Sequence, residues 1–105
     1  MSDSIQRFIP ELIRAATEVS KLTRDETARL LQRAAAAIRD YREQIGPGVA
    51  KGLSDIEFEL TVMAASIDLF PPEKISAMLL EAAEVIKAAR ALLVAKREIE
   101  DGENG

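Results

Sequence analysis

The sequence predicts an all-α protein, a four-helix up-down-up-down bundle built from two similar αα-hairpins, and three observations lead there. Apolar residues recur at spacings of three and four, while the period-two alternation and β-branched runs of strands are missing. Helix breakers and caps ("KLTRDE", "GPG", "FPPE") divide the chain into helix-sized lengths. The chain also aligns with itself when slid by 48 positions, placing "LQRAAAAIRDYR" over "LLEAAEVIKAAR".

Helix one is expected from about Ser4 to Ser20, with Pro10 either kinking it or starting its regular part at the first helical position. Helix two starts after Thr23, which forms a capping box with Glu26, and runs from about Arg24 to Gln44. It stops at Gly46 to Gly48, and "GPGVAKG" reads as a helix stop and flexible connector. A second capping box, Ser54 with Glu57, sets the start of helix three, expected from about Asp55 to Leu69. Pro71, Pro72 and Glu73 open helix four, which continues to about Glu100 before Gly102. Hairpin one thus covers about 4–45, hairpin two about 54–100, and the tail 101–105 frays, all within a single domain of 1–105.

Each helix carries one apolar seam. Helix one offers Ile5, Ile9, Leu12, Ala16 and Val19, and helix two Leu31, Ala34, Ile38, Tyr41 and Ile45. Helix three offers Ile56, Leu60, Met63, Ile67 and Phe70, and helix four Ile75, Leu79, Ala82, Ile86, Ala89 and Leu93. In the 48-residue register the identical pairs include Leu12 with Leu60, Leu31 with Leu79, Ala34 with Ala82 and Ile38 with Ile86. Duplication of a hairpin and two independently amphipathic, Ala-rich hairpins both account for this match. Short turns make neighbours antiparallel, and the alanines of helices two and four permit close approach.

Composition narrows the function. A chain of 105 residues with 48% hydrophobic and 30% charged residues can bury a modest core without staples. It has no Cys and no His, so thiolate chemistry is excluded and the usual general base and metal ligand are lacking. No enzyme activity, cofactor or metal site is expected. Glu81 and Glu84 lie outside the helix-four seam, and Glu11 and Glu59 read as surface charges rather than an acid–base pair. "GPGVAKG" lacks the spacing of a phosphate-binding loop. No apolar run approaches the roughly 20 residues of a membrane span, and "MSDSIQRF" lacks the regions of a signal peptide, so a cytoplasmic location is expected. The net charge of −4 is uneven, +1 over residues 1–50 and −5 over residues 51–105.

Helix three breaks the pattern. Besides its seam it places Phe58, Val62, Ala65 and Leu69 on roughly the opposite side, where helix one has Pro10, Arg14, Thr17 and Lys21. Helix four shows the same bias, with Leu80 at the position of Gln32 and Val94 off the main seam. Either helix three lies centrally with both stripes covered by the chain, or the outer stripe meets a partner. The second is the working expectation: a non-catalytic interaction or structural bundle, self-associating as a homodimer through Phe58, Val62, Ala65, Leu69, Leu80 and Val94. The alternative is a nucleic-acid-associated regulator in which Arg29 and Arg33 of helix two, with Arg14, contact phosphates. Mixed charge on that face, with Asp25, Asp40 and Glu43, argues against it. Finally, helix four outreaches helix three, and its apolar Leu92, Leu93 and Ile99 call for cover from Ile5 and Phe8 or from a second subunit.

Overall fold

The computed structural model describes residues 4–104, and among them all regular structure is helical. α1 spans Ser4–Thr17, α2 Arg24–Ile45, α3 Pro47–Ala65 and α4 Pro72–Asn104; single 3-10 turns at Val19–Lys21 and Ile67–Leu69 follow α1 and α3. Pro10 sits inside α1 at an exposed position.

The first capping box forms. Thr23 Oγ1 accepts from the Glu26 amide at 3.1 Å, and Glu26 Oε1 accepts from the Thr23 amide at 2.8 Å. The second does not, because α3 begins at Pro47 and Ser54 lies inside it. One residue reverses the chain: Gly46, at φ 104° and ψ 174°, is the sole non-helical residue between α2 and α3. That conformation is essentially confined to glycine, and the fixed φ of Pro47 at the first turn starts the next helix at once. The expected flexible connector is therefore mostly helix. At the other end α4 continues through Gly102 to Asn104 rather than ending near Glu100, an isolated glycine without a following proline being only a weak stop. Of the tail expected to fray, Gly105 lies outside the described residues.

The helices pack most closely across the expected hairpins rather than within them. α3 packs chiefly on α2, α1 on α4, and α2 also on α4. α2 and α3 are antiparallel: Arg24 pairs with Asp68 at one end, and Arg39 and Arg42 reach Glu57 nearer the other. α1 meets α4 likewise, with Ser76 Oγ donating to the Ala16 carbonyl at 2.7 Å and Ile5 beside Leu93. α2 and α4 run in the same direction, and Lys96 Nζ donates to the carbonyls of Gln44 (3.3 Å) and Ile45 (3.1 Å) at the end of α2. Buried alanines on both helices (Ala34 and Ala35, Ala82 and Ala83) allow this approach. The molecule is a flattened slab, 51 × 26 × 18 Å.

The 48-residue register governs this arrangement. The largest fully buried side chains are Leu12 with Leu60, Leu31 with Leu79 and Ile38 with Ile86, each pair 48 apart. The ends of α1 and α3, the two 3-10 turns and the starts of α2 and α4 keep the same separation. The α1/α4 contact is the counterpart of the α3/α2 contact. Tyr41 is buried, and Leu93 is covered with Ile5 nearby. Leu92 and Ile99, the other apolar residues expected to need cover there, stay 43% and 64% exposed.

Candidate interaction surface

Because α3 lies at the edge of the slab, against α2 but only lightly against α4, its outer stripe is not covered by the chain. Leu60 and Met63 of the inner seam are buried, whereas Phe58 is 69% and Leu69 79% exposed, with Val62 and Ala65 also exposed. Between α3 and α4 this leaves a groove of about 580 Å³. Its apolar lining comes from Phe58, Val62 and Met63 of α3, Phe70 of the turn, and Met78 of α4. Glu59, Glu73 and Glu81 line it too, against one cation, Lys74. Beyond Phe58 the surface continues past Ser54 and Asp55.

The first half of the molecule shows what is missing here. There the Arg33 guanidinium lies 4.4 Å from the centre of the Phe8 ring and donates to Glu11 at 3.0 and 3.4 Å, capping the α1/α2 edge. In register, Ile56 stands for Phe8, Glu59 for Glu11 and Glu81 for Arg33. An aromatic–arginine–carboxylate stack has been exchanged for two carboxylates, which repel rather than close over the edge.

The six residues expected to form one interface divide among four places. Phe58 and Val62 line the groove; Ala65 and Leu69 lie farther along, on a flank shared with Arg24 and Ala28. Leu80 is exposed on α4 outside the groove lining, and Val94 is at the other end, near Ile5 and Tyr41. Met78 and the acidic lining were missed by sequence reasoning, while Met63 and Phe70 were placed in the seam alone. The change from Arg33 to Glu81 in the repeat was the available signal.

No protein-family model, curated protein or solved structure matches the chain.

Elsewhere several charges pair between helices. Glu57, its side chain 16% exposed, accepts from Arg39 Nε at 2.9 Å and Arg42 Nη2 at 2.7 Å. Burial alone would raise its pKa, but the two arginine hydrogen bonds and charges together outweigh that and hold it below the usual carboxylate value. Arg24 likewise lowers the pKa of exposed Asp68. Of the arginines considered for phosphate contact, Arg33 is engaged by Glu11 and Phe8, Arg14 pairs with Glu18 at 3.9 Å, and Arg29 is exposed. Among the described residues no helix is long and apolar enough to cross a membrane, and no cluster of three or more acidic side chains could hold a metal ion.

Proposed function

We propose that this chain is a non-catalytic, cytoplasmic protein-interaction module, an up-down-up-down four-helix bundle that binds through the outer side of its second half. The α3/α4 groove, apolar at its base and open along one side, carries this reading. An apolar surface of this kind, set among polar residues, is stabilised by covering it, and covering it is what a partner does. The neutral fluorophore Nile red tests it: saturable binding is expected, and loss of that binding in Val62→Asp with Tm and far-UV circular dichroism preserved. A protein that leaves Nile red dark refutes an open apolar groove.

Self-association is a second reading, favoured by the exposure of Leu69 and Leu80 outside the groove. It predicts a dimer by sedimentation at micromolar concentration that Leu69→Asp dissociates. The nucleic-acid alternative has less support, since binding through Arg33 would require breaking its contacts with Glu11 and Phe8.

A further inference from the structure

We infer that the α3/α4 groove receives an amphipathic helix of a partner protein whose apolar face is flanked by Lys or Arg. This rests on the interaction reading above and adds the chemistry of the partner. Shape argues first. The groove lies between two helices and is open on one side, so it would leave much of a compact small molecule in water, whereas an elongated partner can lie along it. An extended peptide adding as a strand would find no sheet edge, since no strand occurs among the described residues. A helix satisfies its own backbone and can lay one apolar face on Phe58, Val62 and Met78. Met63 and Met78 have flexible, polarisable side chains that adapt to irregular apolar shapes.

Charge then selects the kind of helix. Glu59, Glu73 and Glu81 line the groove with one lysine against them, and Asp55 continues the acidic character beyond Phe58. Among the described residues, none of these four carboxylates takes part in an ion pair shown by the structure. A second copy docked groove to groove would bring these carboxylates together, which is repulsive, while a cationic helix would pair with them. The residue at the equivalent edge of the first half is Arg33, so the sign of the charge reverses where the cap is lost.

The test uses the full chain and a labelled Leu/Lys amphipathic peptide of about four helical turns, with a Leu/Glu peptide of the same length and pattern as control. Fluorescence anisotropy is expected to show saturable binding of the Leu/Lys peptide, weakened by salt, with the Leu/Glu peptide at least about tenfold weaker. Glu81→Arg, which can pair with Glu59 as Arg33 does with Glu11, is expected to weaken binding by about tenfold or more. Glu98→Arg makes the same charge change at an exposed position outside the groove and is expected to cost less than about threefold. Equal losses in the two variants, equal binding of the two peptides, or no binding at all would overturn the inference. So would a dimer at the assay concentration that Val62→Asp dissociates, which would make a second copy the occupant. If Nile red binds while the Leu/Lys peptide does not, the cationic helix falls and the interaction reading stands; if neither binds, both fall.

Discussion

Gly46 turns the chain between two long helices at φ 104° with no neighbouring atom within 4 Å of where a Cβ would stand. The cost of a side chain there is purely conformational, so Gly46→Ala is expected to destabilise by about 1–3 kcal/mol in urea unfolding. Gly52 is the opposite case: it lies within α3, also with open space at its Cβ, and Gly52→Ala is expected to stabilise by about 0.5–1 kcal/mol. Glu57 offers a second residue-scale test. Its folded pKa lies below the ordinary value of 4.5, so its contribution is complete above that pH and is lost as pH falls through the folded value. Glu57→Gln should therefore lower Tm at neutral pH, and the gap from wild type should close in acid below about 4.5. A gap that persists unchanged to the acid limit would mean that Glu57 acts through packing rather than charge.

At the scale of the element, the two Ser/Thr-x-x-Glu boxes look equivalent in sequence and are not equivalent in the fold. Thr23→Ala removes a working cap and is expected to cost about 1 kcal/mol, while Ser54→Ala, inside α3, should be neutral or slightly stabilising. Paired thermal melts decide it. The sequence revealed the start of α2, the stop at Gly46 and the start of α4 because each depends on local chemistry: a hydroxyl on an amide, a glycine conformation, a proline without N–H. It misplaced the start of α3 because Pro47 and Ser54 both carry start signals; the helix starts at Pro47, and inside it Glu57 pairs with Arg39 and Arg42 rather than with Ser54. The end of α4 was misread because Gly102 lacks the proline that would make it a firm stop.

In the molecule as a whole, the 48-residue register was legible as a run of paired residues, and burial follows it at Leu12 and Leu60, Leu31 and Leu79, Ile38 and Ile86. Which helix packs on which was not legible, because seams at spacings of three and four fix a buried face without naming what covers it. The direct approach of α2 to α4 depends on small side chains. Ala82→Leu is expected to destabilise by about 1–3 kcal/mol through overpacking, read by urea unfolding, since Ala82 is fully buried. The outer stripe of α3 was visible in the sequence at Phe58 and Val62, yet the groove beside it was not. Its far wall, Met78 and Glu81, comes from α4, and only packing brings the two together.

The Arg33 stack has a consequence for valency. A molecule made of two equivalent halves would present the same docking edge twice, on opposite sides, and could bridge partners into chains. Here one edge is capped by Arg33 over Phe8 and carries Arg14 where the other carries Val62, so under the proposed reading only one edge would dock a partner, ending an assembly rather than extending it. Calorimetric titration with the Leu/Lys peptide is thus expected to saturate at a single peptide per chain. Copying the second half into the first with Arg14→Val and Arg33→Glu should raise that ratio, turning an end-stop into a linker.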